Sequence, residues 1–131
     1  MKLKPDCVRD VLLTLEDAPF NEEVKLDYIS KQLPNYSTDE LWYTCLKLHE
    51  GGYIKAILAS NLQSTLPFVV SIIDITFSGH QFLDSVRDTR VWAKTKEVAA
   101  NAGSFTLKTL GYIAQEVAKV AISTALSGLT I

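Results

Sequence analysis

Two histidines, two cysteines and one short run of cations are the residues of this 131-residue chain with the clearest means to do chemistry. His80 stands directly after Gly79 in "ITFSGHQFLDSVRD", Ile75 to Asp88, with Asp84 one helical turn further on. A general base or a metal ligand needs companions, either a nucleophile within reach or further His, Cys, Asp or Glu at ligand spacing. The sequence around His80 offers neither arrangement, so the expectation is a helix-surface histidine, paired with Asp84 or packed on the preceding strand. His49 falls near the end of a predicted helix, where a partial positive charge complements the last carbonyls. Cys7 and Cys45 form no CxxC motif and lie on or beside apolar helix faces, where a free thiol packs as a small hydrophobe. Phosphate-cradling patterns of the GxxxxGK[ST] and GxGxxG types are absent. The residues therefore predict a protein that is not an enzyme and that holds no metal and no cofactor.

The elements that must position these residues are bounded by composition. An apolar content of 47% and a formal charge of −2 suit one soluble core and give no bulk attraction to phosphate backbones. No charged-then-apolar leader and no disulfide framework is read, which predicts a reduced, cytoplasmic protein. The apolar runs around Leu66 to Phe77 and Val120 to Ile131 are interrupted and shorter than the roughly 18 residues of a membrane span.

Pro5 announces a first helix, with Val8, Val11, Leu12 and Leu15 on one face and an end near Asp17. A short extended piece, Glu23 to Leu26, leads to Asp27 as the expected cap of a brief second helix that closes before Pro34. In "YSTDEL", Ser37 and Glu40 have the spacing of a capping box and Tyr36 and Leu41 that of a hydrophobic staple, predicting a third helix from Thr38 to about Glu50. Leu41, Cys45 and Leu48 line its buried side, and Gly51-Gly52 can end it in the left-handed conformation. The period then changes. "YIKAILAS" and "FVVSIIDI" read as a hairpin with "NLQSTLP" as its turn. In the second strand, Val69, Ser71, Ile73 and Ile75 are expected on one face and Phe68, Val70 and Ile72 on the other, with much of the strand covered on both sides. Thr76 caps a fourth helix whose buried stripe is Gly79, Phe82, Leu83 and Val86, and the glycine implies a close approach, most simply by another helix.

That order, helix, strand, helix, helix and hairpin, is the order of a winged helix-turn-helix. "ITFSGHQFLDSVRDTRVWAKTKE", with the "GGYI" strand and "PDCVRDVLLTLE" before it, resembles an uncharacterised bacterial and prophage family of unknown function, similar to the winged-helix YjcQ group, over about residues 3 to 115. The resemblance implies a winged-helix fold and a bacterial or mobile-element origin, and no activity. Beyond it, "TRVWAKTKEVAANAG" predicts a fifth helix with Trp92 and Ala99 inward and an end at Gly103, and Ser104 is the expected cap of a long last helix. The fold class is α+β and mostly helical: a winged-helix domain over residues 1–88 with a two-stranded wing, and a C-terminal helical extension over 89–131.

Three surfaces carry the functional expectation. The outward side of the third helix holds Asp39, Tyr43, Lys47 and Glu50, and the wing tip "ASNLQSTLP" has no lysine or arginine, which is poor equipment for phosphate contacts. Arg87, Arg90, Lys94 and Lys96 form the one local basic patch, diluted by Asp88 and Glu97. In the last helix a small row, Gly111, Ala114, Ala118, Ala121 and Ala125, runs beside a larger one, Leu110, Ile113, Val117 and Val120, so that one row can dock on the body and the other on a second copy. The sequence thus predicts a nonenzymatic interaction protein, dimeric through its last helix, that binds a protein partner such as a host or immune-system component. The alternative is a small DNA-binding transcriptional regulator.

Overall fold

The computed structural model describes residues 1–129. Among them the order is α1 (Pro5–Glu16), α2 (Leu26–Gln32), α3 (Thr38–Glu50), β1 (Ile54–Ala59), β2 (Phe68–Ile75), α4 (Phe77–Val86), α5 (Thr89–Ala102) and α6 (Leu107–Leu129). The chain is α+β and mostly helical. It forms two compact units, one from Met1 to Gln81 and one from Phe82 onward, with the boundary inside α4, whereas the sequence places the division after Asp88. Residues 130 and 131 of the expected extension lie outside the described residues.

In the first unit, Pro5 opens α1 and Cys7, Val8, Val11, Leu12 and Leu15 are buried along one stripe. The capping box of α3 is formed: Glu40 N–H donates to Ser37 Oγ at 3.1 Å and Ser37 N–H to Glu40 Oε1 at 3.3 Å. The second oxygen of Glu40 receives the Lys4 ammonium at 2.6 Å, so one carboxylate ties the approach to α1 to the start of α3. Tyr36 adds a second tie through its hydroxyl, which donates to Asp10 Oδ2 at 2.7 Å. Burial of the phenol, then that hydrogen bond, holds Tyr36 far above its ordinary pKa. Asp27 is not the cap of α2. The capping position is Lys25, without a side-chain hydrogen bond, and Asp27 lies in the first turn, 3.2 Å from Lys31. On α3, Leu41, Thr44, Cys45, Leu46 and Leu48 face inward. Both thiols are buried, and burial pushes Cys45 up to about 12.

β1 and β2 pair antiparallel from Ile54↔Ile75 to Ala59↔Phe68, with irregularities between Lys55 and Ala56 and between Ile57 and Leu58. Ile73 and Val70 are the extra residues on β2, and across this region the side-chain alternation breaks between Ser71 and Ile72 and again between Ile73 and Asp74. The inward residues become Val69, Ser71, Ile72 and Ile75, while Phe68, Val70 and Ile73 are exposed. Covering on both sides, expected from the sequence, does not occur. The extended piece before α2 is present as a bridge: Val24 N–H donates to Ile72 O at 2.8 Å, and Ile72 N–H to Val24 O at 2.7 Å.

α4 begins where the hairpin ends. Thr76 Oγ1 accepts from Gly79 N–H at 3.1 Å as its cap, and Thr76 N–H donates to Tyr53 O at 3.0 Å. The close approach at Gly79 is to the backbone just before β1 and not to another helix: a Cβ there would overlap the Tyr53 carbonyl oxygen and come within 2.6 Å of Ile75 Cγ2. In the second unit, Asp88 caps α5 by accepting from the N–H groups of Arg90 and Val91, and Gly103, at φ 72°, ends it. The cap of α6 is Thr106, whose Oγ1 accepts from Thr109 N–H at 3.1 Å, rather than Ser104. Phe82, Leu83, Val86, Trp92, Thr95, Ala99, Leu110, Ile113 and Ala114 are its buried residues.

Two outcomes follow from these contacts. Gly79→Ala sets a methyl group against backbone and should cost about 2–3 kcal/mol in urea unfolding. Gly52→Ala, strained only by its φ of 81° with open space around it, should cost about 1–2 kcal/mol. The reverse order would overturn the assigned contact. The second outcome concerns pH. The Glu40 pKa is lowered, first by its hydrogen bond to Lys4, so its contribution is present above about pH 4.5 and is lost as pH falls through the folded value. The Lys4 pKa is raised by the same bond, so its contribution is present below about pH 10.5 and is lost as pH rises beyond it. Glu40→Gln should flatten both limbs of the wild-type stability profile, and an unchanged alkaline limb would refute the pairing.

Candidate functional site

The α3 surface proposed from sequence is assembled on one side of the helix and carries little free positive charge. Lys47 Nζ lies 3.0 Å from Glu50 Oε2 and 5.5 Å from the centre of the Tyr43 ring. The hydrogen bond to Glu50 raises the Lys47 pKa. Asp39 is exposed on the first turn. Trp42, flanking this surface, donates its indole N–H to Pro67 O at 2.8 Å and stacks on Phe68 at 5.2 Å, which fixes the hairpin against α3. His49 serves the strand: its Nδ1 accepts the N–H of Ala56 at 3.2 Å. That role for His49 is tertiary, and its helix position alone does not reveal it.

Of the four cations of the basic patch, Arg87 lies in the connection after α4 and Arg90, Lys94 and Lys96 lie on α5, each of these three beside a local neighbour. Arg90 Nε is 3.9 Å from Asp88, Lys94 is 3.5 Å from Glu97, and the Lys96 ammonium lies 5.6 Å from the centre of the Trp92 ring. Arg87 is exposed.

The small row of α6 changes character along the helix instead of around it. A Cβ on Gly111 would meet Phe82 at 3.5 Å, an ordinary contact, and Ala114 is wholly buried. Ala118 is half-buried, and Ala121 and Ala125 are exposed. The larger row behaves alike: Leu110 and Ile113 are buried and Val117 half-buried, whereas Val120 is 68% exposed. From Lys119 to Gly128 every residue is exposed, Ile122 and Leu126 included.

One concavity escaped the sequence reading altogether. The α1–α2 loop, the end of β2 and His80 enclose a cleft of about 480 Å³. Its apolar lining includes Leu15, Val24, Ile72 and Ile75, all core residues. Its carboxylates are Glu16, Glu22, Glu23 and Asp74, and no lysine or arginine lines it among the described residues. Phe20, in the loop, is 98% exposed, and the loop turns at Asn21 with φ 66°. The available signal was "PFNEE", residues 19–23, an aromatic between a proline and two acids. Its partners on β2 and α4 are some fifty residues away in sequence, which is why the cleft was not found. His80 is exposed and faces this cleft, so it adds an imidazole to a carboxylate-rich wall. Among the described residues no group of three or more His, Cys, Asp or Glu is arranged to hold a metal ion, and no helix is long and apolar enough to cross a membrane.

An α+β chain with a three-helix and hairpin unit followed by a helical pair is the class these observations define. The family model described as "Hypothetical protein (DUF2513)" matches residues 2–105, and the chain belongs to that family. No curated protein and no solved structure matches it. The expectation of a family of unknown function is therefore met, over nearly the span that the sequence motifs suggested.

The placement of Gly111 separates a packing contact from a copy-to-copy seam. Gly111→Ala should raise stability by up to about 1 kcal/mol through helix propensity and leave the oligomeric state unchanged. A drop in stability that depends on protein concentration would show that a second copy approaches the helix there.

Proposed function

We propose that this chain is a nonenzymatic interaction protein of bacterial or phage origin, built on a winged-helix framework and working in the cytoplasm by binding a protein partner. The winged-helix reading is supported by the order of α1, the Val24 bridge, α2, α3 and the β1–β2 hairpin. A host or immune-system component is the partner class that a mobile-element origin suggests.

The observation that carries the reading is the chemistry of the two surfaces such a framework turns to DNA. On α3 the cation Lys47 is tied to Glu50, with Asp39 nearby as a second acid. The hairpin turn contains no lysine or arginine and exposes Leu62 and Leu66, and β2 beside it exposes Phe68 and Val70. Clustered exposed apolar residues beside a neutral helix suit a protein surface better than a phosphate backbone. Homodimerisation is the second component of the proposal. The exposed end of α6, with Val120, Ile122 and Leu126 on a stretch whose Lys119 is paired to Glu116 at 3.0 Å, is an apolar helix that a two-fold copy would cover.

Both parts are measurable. Fluorescence anisotropy with duplex DNA at physiological salt should give binding weaker than the nonspecific range of about 10⁻⁴ to 10⁻⁶ M. Tight binding lost on Lys47→Glu would establish the DNA-binding regulator instead, and loss on changing Arg90 and Lys94 would place the contact on α5. Light scattering should report a dimer at about 100 μM, and Ala121→Glu with Ala125→Glu should convert it to a folded monomer. A monomeric wild-type chain at that concentration would sink the dimer.

A further inference from the structure

We propose that the cleft between the α1–α2 loop and β2 is the docking site for a basic peptide segment of a protein partner, in which an apolar side chain enters the cleft and flanking lysines or arginines meet its carboxylates. The inference rests on the protein-binding reading and names the chemistry of the partner. The cavity is the primary observation. At about 480 Å³ it lies within the size range of sites that enclose a ligand group, and the exposed Pro19, Phe20 and Ile73 give it an apolar rim over a floor of the core residues Leu15, Val24, Ile72 and Ile75. An apolar side chain is what such a lining can desolvate favourably.

Charge selects the occupant. The whole chain is nearly balanced, with 15 acidic and 13 basic residues, yet the cleft is lined by Glu16, Glu22, Glu23 and Asp74 and by no lysine or arginine. Asp74 stands opposite Lys55 in the hairpin register, so the uncompensated charge rests chiefly on Glu22 and Glu23, which enter no ion pair among the described residues. Lys25 and Lys31 stand with Glu22 and Glu23 on the outer side of the same loop, Lys31 beside Asp27, so the excess of acid is confined to the cleft itself, where it disfavours nucleic acid and acidic segments and favours a cationic one. Phe20, 98% exposed in the same loop, adds an aromatic face against which an arginine can stack. A purely cationic ligand would leave the apolar lining and Phe20 uncovered, and a purely apolar one would strip water from Glu22 and Glu23 without replacing it.

The test uses the full chain and three fluorescein-labelled synthetic dodecapeptides that alternate leucine with arginine, leucine with glutamate, and serine with arginine. Anisotropy should show the leucine–arginine peptide binding at least about tenfold tighter than either control, a difference of about 1.4 kcal/mol. Glu22→Gln with Glu23→Gln should weaken it by a similar factor, as should Phe20→Ser. Asp39→Asn with Glu50→Gln, which removes two carboxylates from α3, should leave it unchanged. In the unmodified protein, amide shifts induced by the peptide should centre on residues 16–24 and 72–75, a readout that does not depend on any variant folding. Equal binding of the serine–arginine peptide, equal weakening by the α3 variant, shifts centred elsewhere, or no binding at millimolar peptide would each overturn the proposal. Tight duplex DNA binding with the peptide results as expected would remove the protein-binding reading and keep the cleft assignment. Failure of the peptide with no DNA binding would remove the cleft assignment alone.

Discussion

The peptide backbone at Tyr53 is the joint on which the first unit depends. Its N–H donates to Leu48 O at 2.8 Å, closing the end of α3, and its carbonyl accepts the N–H of Thr76 at 3.0 Å, closing the base of the hairpin. The same carbonyl lies where a side chain at position 79 would have to be. Three elements therefore meet on one residue, and a glycine is the only residue that lets the first turn of α4 lie against it. Successive residues of a helix are turned by about 100°, so once Gly79 is pressed on the backbone at Tyr53 the direction of the next side chain is set. His80 is consequently directed at the cleft by a packing constraint on its neighbour. The proximity of glycine and histidine, conspicuous in the sequence, has a geometric cause.

Local signals were legible wherever a few adjacent residues decide the structure. The α3 capping box, Pro5 at the start of α1, Thr76 as the cap of α4 and Gly103 at φ 72° all belong to this kind. The β2 faces do not. Whether Val70 and Ile73 bulge depends on the residues across the ladder, and two bulges in eight residues rephase the alternation from Val69 and Ser71 to Ile72 and then to Ile75. One consequence is that Ile72 turns inward beside Ser71, whose buried hydroxyl has no hydrogen-bond partner among the described residues. Another is the exposure of Phe68, Val70 and Ile73 on a strand that composition alone marks as interior.

The last helix shows a different limit. Periodicity reports which side of a helix is apolar and says nothing about how far along the axis the neighbouring element reaches. In α6 both apolar rows are buried near Leu110 to Ala114 and both are exposed beyond Lys119, so the division is between its two ends. Any partner for the exposed end must accept Val120 on one side of the helix and Ile122 and Leu126, four residues apart, on the other. Two rows that look like two interfaces in sequence are one continuous surface covered over half its length.

Net charge hides a comparable arrangement. Lys31 has Asp27 beside it, Lys47 has Glu50, Lys94 has Glu97 and Lys119 has Glu116, each within one helical turn. Such exposed pairs contribute little to stability, but each places opposite charges close enough to cancel at a distance of a Debye length. Acids left outside these pairs then shape the field more than their number suggests. Glu22 and Glu23 are in that position, on a loop that no helical periodicity organises, and the cleft beside them is built from α1, β2 and α4 residues far apart in sequence. A formal charge of −2 spread evenly would steer nothing. With four helical lysines each paired locally, the same chain holds four carboxylates and no lysine or arginine around the cleft over an apolar floor, and it is this contrast, not the total, on which the proposed basic partner rests.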